Sequence, residues 1–104
     1  MIMLMPILTS QEIANFLSQS TLKGWKKEQN AIEKKFVFND FLEVMHIINK
    51  IVLVAEKLNH HPKWKNVYNQ LTIRLTTHDS NGITLKDIQL AQEIEKIIQK
   101  NKQL

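Results

Sequence analysis

The longest regular pattern of apolar positions in the chain begins at Phe41 and predicts a helix of about five turns. Its apolar residues recur at intervals of three and four: Val44, Met45, Ile48, Ile51, Val52, Ala55 and Leu58. Asn39 or Asp40 is suited to cap the start of this helix, and Asn59 is suited to end it. Pro62 cannot continue a helix because it has no amide proton, so the pattern must stop before it.

Alternation of apolar and polar positions predicts strands on both sides of this helix. In the strand before the helix, Ile32, Phe36 and Phe38 share one face, and Glu33 and Lys35 lie on the other. In a strand after it, Leu71, Ile73 and Leu75 alternate with Thr72, Arg74 and Thr76. Trp25 opens an earlier strand-like stretch, and Val67 with Tyr68 forms a short one that turns at Asn69.

Two shorter amphipathic segments predict helices near the ends of the chain. Ser10 is placed to cap a helix over residues 11–19, and Thr84 and Asp87 form a capping-box-like pair before a last helix. The order of elements is then α-β-β-α-β-β-α. Strands joined as hairpins pair antiparallel, so the sequence predicts a single α+β domain over residues 1–104. It would contain one four-stranded antiparallel sheet with three helices packed on one face.

Composition narrows the classes of function. The chain has 104 residues, of which 43% are hydrophobic and 23% charged, as in an ordinary globular domain. It has no cysteine, which excludes disulfides and thiolate metal sites. The apolar start is too short and too uncharged for a signal peptide, so residues 1–9 are expected to be a loosely ordered extension of a cytoplasmic protein. The net charge is +4, and Arg74 is the single arginine among the basic residues. The basic residues do not form the concentrated stripe that is typical of a nucleic-acid-binding surface.

Three of the four histidines lie where predicted elements end. His60 and His61 follow the long helix, and His78 follows the last strand. Histidine has an unperturbed pKa of roughly 6.5, so its side chain can donate and accept protons near neutral pH. Glu56 lies four residues before His60 and therefore shares a helix face with it. The pattern favours an acid–base site, whereas His46, in mid-helix, is expected to be a surface residue.

The same residues are also compatible with two simpler roles. In the first, the histidine pair is a polar helix end that suits the helix dipole, and His78 is an ordinary loop residue. In the second, the three histidines and Glu56 ligate a metal ion. Adjacent histidines rarely reach one ion together, and a hydrolytic zinc helix normally has the spacing His-Glu-x-x-His. Spacing alone leaves both roles open.

The motif Glu56-x-x-x-His60-His61-Pro62, followed by Tyr68, His78 and Asp87, resembles the signature of the pterin-4a-carbinolamine dehydratases. Further segments match: Gly24-Trp25, Phe36-Val-Phe38-Asn-Asp-Phe41, His61-Pro-x-Trp64-x-Asn-Val-Tyr68 and Thr77-His78-Asp79. The resemblance covers residues 10–99 and implies the same order of helices and strands. Asn59 departs from relatives that often carry an acid there, which implies a lower pH optimum if that acid tunes a histidine.

The resemblance implies a hydro-lyase that removes water from 4a-hydroxytetrahydropterin to give quinonoid dihydropterin, in tetrahydrobiopterin-type cofactor recycling. It assigns proton transfer to His60 and His78, and the holding or polarising of the substrate to His61. The residues it implies for substrate binding are Glu56, Pro62, Trp64, Thr77, Asp79 and Asp87. The pterin is the substrate, so neither a metal nor an organic cofactor is expected.

The resemblance also implies partners. Members assemble as homodimers or homotetramers and are linked to an aromatic amino-acid hydroxylase; neither nucleic acid nor a membrane is an expected direct partner. Animal members also act as dimerisation cofactors of a homeodomain transcription factor. The alternative function is therefore a non-catalytic pterin-binding or dimerisation module that serves as a transcriptional coactivator. Three retained histidines favour the enzyme, because an interaction module does not need them.

Overall fold

The computed structural model describes residues 4–102, which form three α-helices and a single four-stranded sheet. The elements are α1 Ser10–Leu17, β1 Lys26–Glu28, β2 Ala31–Val37, α2 Phe41–Leu58, β3 Lys63–Val67, β4 Gln70–Leu75 and α3 Leu85–Lys102. Two 3₁₀ turns lie between them, at Ser20–Leu22 and His78–Ser80. The predicted order α-β-β-α-β-β-α is confirmed. No helix in this part of the chain is long and apolar enough to cross a membrane.

All neighbouring strands of the sheet are antiparallel, and their order is β1-β2-β4-β3. The register places Phe36 opposite Leu71 and Ile32 opposite Leu75, so the apolar residues of both strands share one face. On the other face Arg74 forms an ion pair with Glu33, with 2.9 Å between Nη1 and Oε2. The predicted α+β class, with helices on one face of an antiparallel sheet, is confirmed.

The long helix α2 buries a different stripe from the one that periodicity predicted. Its buried residues are Val44, Ile47, Ile51 and Ala55. Ile47 was absent from the predicted stripe and is fully buried, whereas Val52 was included and is 41% exposed. Apolar residues occur on more than one side of this helix, so spacing alone could not select the side that packs against the sheet and α3.

The first helix begins one residue earlier than predicted. Thr9, and not Ser10, is the N-cap: its hydroxyl accepts a hydrogen bond from the Glu12 amide at 3.1 Å. The Thr9 amide donates in return to Glu12 Oε1 at 2.9 Å, which completes a capping box. Ser and Thr are both good caps, and the glutamate three positions later decided between them. The helix ends at Leu17, so the prediction of residue 19 was too long.

The hairpin of β3 and β4 is displaced from its prediction. Strand β3 begins at Lys63, and Tyr68 lies in the two-residue turn instead of in the strand. The Tyr68 backbone has φ +50° and its side chain is 63% exposed, so the expectation that it lies in a strand was wrong. Trp64 and Val67 are the two apolar residues of β3, and they do not alternate with polar residues, so the sequence lacks the usual pattern of a strand.

Residues 4–9 form neither helix nor strand and lie against the loop that follows β4. The Leu8 amide donates to the Ile83 carbonyl at 2.8 Å, and the Ser80 hydroxyl donates to the Met5 carbonyl at 2.7 Å. Residues 1–3 of the predicted loose extension lie outside the described residues. The looseness of this extension stays a prediction, while its described part contacts the loop that carries His78.

Helix α2 ends in a left-handed turn that determines where His60 lies. Asn59 has φ 50° and ψ 45°, a conformation that asparagine tolerates better than most residues. The Asn59 amide donates to the Glu56 carbonyl at 3.2 Å, and the His60 amide donates to the Ala55 carbonyl at 3.0 Å. This pair of bonds forms a Schellman motif, which reverses the chain and turns His60 towards α3.

We expect Asn59→Val to lower the free energy of unfolding by about 1–2 kcal/mol, because a left-handed backbone brings a β-branched side chain too close to the following carbonyl. Asn59→Gly should change it by less than about 0.5 kcal/mol. Urea unfolding followed by circular dichroism measures both. Asn49→Val, at an exposed position within α2, is the matched control. Equal losses for the two valine variants would contradict a special role of the left-handed cap.

Candidate active site

The candidate site is built on a buried contact between the end of α2 and the start of α3. His60 Nε2 lies 2.5 Å from Asp87 Oδ1. His60 is 8% exposed and Asp87 is fully buried. An ionised carboxylate can only accept hydrogen bonds, so the nitrogen that faces it carries the proton. Asp87 therefore holds the His60 ring in one orientation and in the tautomer protonated at Nε2.

Two threonines complete the surroundings of this carboxylate. Asp87 Oδ2 accepts a hydrogen bond from the Thr77 hydroxyl at 2.8 Å and another from the Thr84 amide at 2.9 Å. The two threonine hydroxyls lie 2.6 Å apart, and both residues are buried. We call these four residues, His60, Thr77, Thr84 and Asp87, the Asp87 network. The network gives the buried carboxylate three partners, which offset much of the cost of its burial.

The loop between β4 and α3 brings the members of this network together. Thr77 and Gly82 bond to each other through their backbones, with Thr77 N to Gly82 O at 2.9 Å and Gly82 N to Thr77 O at 3.3 Å. This bridge closes the 3₁₀ turn His78–Ser80 into a compact loop. Thr84 then directly precedes α3, and Asp87 lies in its first turn, where the helix dipole favours a negative charge.

The second nitrogen of the His60 ring is accessible to solvent. Nδ1 has no hydrogen-bond partner among residues 4–102, and none of their buried polar side-chain atoms is left without a partner. Nδ1 is therefore not fully buried, so solvent or a ligand can reach it. With the proton on Nε2, the lone pair on Nδ1 is available as a base. The arrangement can therefore accept a proton and share the resulting positive charge with Asp87.

His61 and Glu56 form a second pair, which lies outside the protein core. His61 Nε2 is 2.5 Å from Glu56 Oε2, and their side chains are 59% and 69% exposed. The two adjacent histidines thus point in different directions, as the turn before Pro62 predicted. An exposed pair of this kind contributes little to stability. The effect of this contact is that Glu56 orients the His61 ring at the helix end.

His78 lies one residue beyond the Asp87 network. It is the first residue of the 3₁₀ turn that follows Thr77, and its side chain is exposed. In the described chain its ring makes no hydrogen bond, so both nitrogens are open to a ligand or to water. The Thr77 and Asp87 side chains connect its loop to the His60 ring. The structure thus connects the His78 loop to the end of α2 through these two side chains.

The remaining predicted substrate-binding residues are less closely assembled. Trp64 is half-buried on the helix-covered face of the edge strand β3, and Pro62 is half-buried in the turn before it. Asp79 is exposed in the His78 turn. Thr77 uses its amide and carbonyl on Gly82 and its hydroxyl on Asp87, so its backbone is not free to bind a ligand. Thr84 was predicted only as a helix cap, although its spacing of three residues from Asp87 was the signal of its place in the network.

Among the described residues, no group of three or more histidine and carboxylate side chains is arranged to hold a metal ion. The alternative of a metal ligated by the three histidines and Glu56 is therefore without structural support. Two surface clefts, of about 800 Å³ beside α3 and about 290 Å³ beside Gly24, contain none of the histidines. The candidate site thus combines the buried Asp87 network with the exposed residues His61 and His78 at element ends.

Comparison with known proteins relates the whole domain to one family. The family model described as Pterin 4 alpha carbinolamine dehydratase matches residues 6–97. A protein of Opitutus terrae, provisionally named a pterin-4-alpha-carbinolamine dehydratase, is 47% identical over 92 residues, which cover 88% of this chain and 93% of the relative. The family match includes every residue of the candidate site.

Two solved structures have the same fold. One, described as a transcriptional coactivator/pterin dehydratase from Brucella melitensis, has a TM-score of 0.84 and 38% identity, and covers 88% of this chain and 98% of its own. The other is a pterin dehydratase-like protein identified as a RuBisCO assembly factor in the α-carboxysome. Its TM-score is 0.62 at 12% identity, over 74% of this chain and 92% of its own, so its likeness concerns the fold alone.

Proposed function

Because the chain belongs to the pterin-4-alpha-carbinolamine dehydratase family, we propose that it converts 4a-hydroxytetrahydropterin into quinonoid dihydropterin and water. The reaction breaks the bond between C4a and the hydroxyl oxygen, removes the proton from N5 and forms a double bond between C4a and N5. The departing hydroxyl takes up one proton and leaves as water. The reaction transfers protons without oxidation or reduction, so it needs one proton acceptor and one donor and no redox cofactor.

The observation that carries this proposal is the buried contact between His60 Nε2 and Asp87 Oδ1 at 2.5 Å. It leaves Nδ1 of His60 as an oriented base at the surface of the site. We assign this nitrogen to the acceptance of the N5 proton. Asp87 then lies against the imidazolium that forms, and a carboxylate so placed stabilises that charge, as in other histidine–aspartate pairs.

The proton donor to the departing hydroxyl is His78 in this proposal. Its exposed ring has one nitrogen for the substrate and a second that can exchange protons with water. His61, oriented by Glu56 at 2.5 Å, holds or polarises the pterin. Positioned acid–base groups of this kind contribute roughly 10²–10⁴-fold each to a rate. In this division of roles, the proton acceptor belongs to the largely buried ring of His60 and the proton donor to the exposed ring of His78.

The amino-pyrimidinone edge of a pterin presents N–H donors, which match carboxylate acceptors. Glu56 binds His61 through Oε2 and retains Oε1, and Asp79 is exposed beside His78. Trp64 is half-buried on the covered face of β3 and supplies an aromatic wall. We therefore propose that the pterin lies between the end of α2 and the His78 turn. Pro62 fixes the chain direction between them.

The proposal extends to the setting of the activity. We place it in the recycling of a tetrahydrobiopterin-type cofactor in the cytoplasm, after an aromatic amino-acid hydroxylase has acted. We also propose a homodimer or homotetramer. Large apolar side chains on the outer side of α2 support association: Phe41, Leu42, Val52 and Leu53 are between 41% and 78% exposed. Exposed apolar surface of this kind commonly marks an interface.

The second candidate is a non-catalytic role as a transcriptional coactivator, because the similar protein of Brucella melitensis is described as a transcriptional coactivator/pterin dehydratase. The two candidates differ in what they require of the histidines. A coactivator surface has no use for a proton acceptor held against a buried carboxylate. The dehydratase requires it.

We expect His78→Ala to lower kcat about 10²-fold, at the lower end of the range for a positioned acid–base group, because water can replace an exposed donor. The measurement follows loss of the carbinolamine in a coupled aromatic hydroxylase assay. His46→Ala is the matched control, since His46 lies in mid-helix, away from the Asp87 network, and its rate should equal that of the wild type.

Two outcomes would contradict the proposal at different levels. A wild-type chain that does not accelerate carbinolamine loss above the uncatalysed rate would refute the dehydratase activity itself. Wild-type activity with an unchanged rate for His78→Ala would refute only the role of His78 as donor. Stoichiometric zinc or iron in the purified protein would contradict the metal-free mechanism.

A further inference from the structure

We infer that Thr84 is a positioning residue whose hydroxyl, by donating to Thr77, supports the hydrogen bonds that hold His60 in its reactive tautomer. This inference rests on the proposed function, because it concerns the group assigned to accept the N5 proton. Thr84 is fully buried and lies beyond the reach of a ligand at Nδ1 of His60. Its influence must therefore pass through Thr77 and Asp87.

The number of available protons determines the direction of each bond in the Asp87 network. The Thr77 hydroxyl has one proton and donates it to Asp87 Oδ2 at 2.8 Å. In its 2.6 Å contact with the Thr84 hydroxyl, Thr77 must therefore be the acceptor and Thr84 the donor. Thr84 Oγ1 in turn accepts from the Lys86 amide at 3.2 Å. The Lys86 amide, the Thr84 hydroxyl and the Thr77 hydroxyl thus donate in series towards the carboxylate.

This direction has a consequence for His60. Asp87 Oδ2 receives two protons in hydrogen bonds, from the Thr77 hydroxyl and the Thr84 amide. With its lone pairs engaged, Oδ2 has no place for a proton of its own. The proton shared with His60 is therefore confined to the contact between Oδ1 and Nε2. As a result Nδ1 keeps its lone pair. Thr84 supports this arrangement with its amide directly and with its hydroxyl through Thr77.

Loss of the Thr84 hydroxyl would weaken this arrangement in two ways. The buried Thr77 oxygen would keep its bond to Asp87 but lose the hydroxyl donor to its lone pair, and the loss of a buried hydrogen bond is costly. Hydrogen bonds in series also polarise one another, so the Thr77 bond to Asp87 would become weaker. The tautomer of His60 would then be held less tightly, although every group that reaches the substrate would still be present.

Thr84 also directly precedes α3, and a merely structural role as its cap predicts something different. The chain offers a matched control in Thr9, the N-cap of α1, whose hydroxyl accepts from the Glu12 amide at 3.1 Å. Thr9→Val removes a cap of the same residue type on an exposed helix start, and the Thr9 side chain makes no hydrogen bond to the Asp87 network. It should lower stability without changing either catalysis or the His60 ring.

The test compares Thr84→Val, Thr84→Ser and Thr9→Val in the carbinolamine assay and by nitrogen-15 NMR of the histidine rings. We expect Thr84→Val to lower kcat about two- to tenfold, the range for one hydrogen bond, with KM unchanged because Thr84 does not reach the substrate. His60 should show Nε2 protonated in the wild type and a second tautomer in Thr84→Val. Thr84→Ser, which keeps the hydroxyl, should restore both the rate and the single tautomer.

A wild-type spectrum with the proton on Nδ1 of His60 would overturn the inference, and so would a Thr84→Val variant with wild-type kcat and tautomer. Equal losses of kcat in Thr84→Val and Thr9→Val would show that the residue acts only as a cap. If Thr84→Val fails to fold, the wild-type spectrum and Thr84→Ser still decide. The tautomer needs no turnover to be measured, so an inactive wild type would refute the dehydratase proposal separately from this one.

Discussion

Replacing His60 by glutamine is expected to lower kcat about 10²–10⁴-fold while leaving the fold intact. The glutamine amide can take the place of Nε2 and donate to Asp87 Oδ1, so the buried carboxylate keeps a partner. It has no titratable nitrogen, so the site loses its proton acceptor. The substitution therefore separates the structural contact of His60 with Asp87 from its proposed chemistry.

The carbinolamine assay measures this effect, and thermal unfolding of the same samples checks the fold. His46→Gln is the matched control, since it makes the same chemical change within α2, away from the site. Recovery of rate on addition of free imidazole would further identify the missing group as a base. A His60→Gln variant with a rate close to that of the wild type would assign the proton acceptor elsewhere.

Replacing Asp87 by alanine is expected to lower the free energy of unfolding by about 3–5 kcal/mol. Asp87 accepts hydrogen bonds from the His60 ring, the Thr77 hydroxyl and the Thr84 amide, and all three residues are buried. Alanine would leave these donors without an acceptor and create a small cavity at the start of α3. An unsatisfied buried polar group costs far more than an average hydrogen bond contributes.

Urea unfolding at neutral pH measures this loss, and Asp79→Ala is the matched control because Asp79 is an exposed aspartate nearby. The control should change the free energy of unfolding by less than about 0.5 kcal/mol. Asp87→Asn should lie between the two in stability, since its amide oxygen can still accept from the threonines. A loss in Asp87→Ala no greater than that in Asp79→Ala would contradict the energetic importance of the network.

The two predictions concern the same contact, between His60 and Asp87. Asp87 is needed both to stabilise the junction of α2 and α3 and to hold the His60 ring. His60 contributes to the same junction and also presents Nδ1 to solvent. A buried polar pair is seldom required for stability alone, because an apolar pair of similar volume often stabilises a fold as well. The combination supports a catalytic purpose for the buried pair.

Much of the fold was predictable from short-range patterns. Alternation in β2 and β4 predicted both strands, and the three-four spacing of α2 predicted its length and both ends. Strand β3 was misplaced, because its sequence Lys-Trp-Lys-Asn-Val has one large aromatic residue and its hairpin turn contains a tyrosine. Only Trp64 and Asn66 of this edge strand are partly buried, and one of them is polar, so its sequence retains little of the pattern.

The candidate site was likewise predicted only in part. The motif around the histidines, and the family that it resembles, were legible in the sequence, and the family membership is confirmed. The sequence did not predict which of the two histidines is buried, since His60 and His61 are adjacent and chemically identical. The left-handed cap at Asn59 and the turn at Pro62 direct the ring of His60 inward and that of His61 outward.

The sequence by itself thus determined the order of elements, the family and the residues available for chemistry, because these depend on local periodicity and on motif spacing. Only the tertiary structure decided which of those residues act together. Thr77, Thr84 and Asp87 follow β4 or begin α3, and His60 ends α2, so the network exists only when three element ends meet. Its contacts join residues up to 27 positions apart. Burial, which makes such contacts energetically important, is a property of the folded chain and not of any local segment.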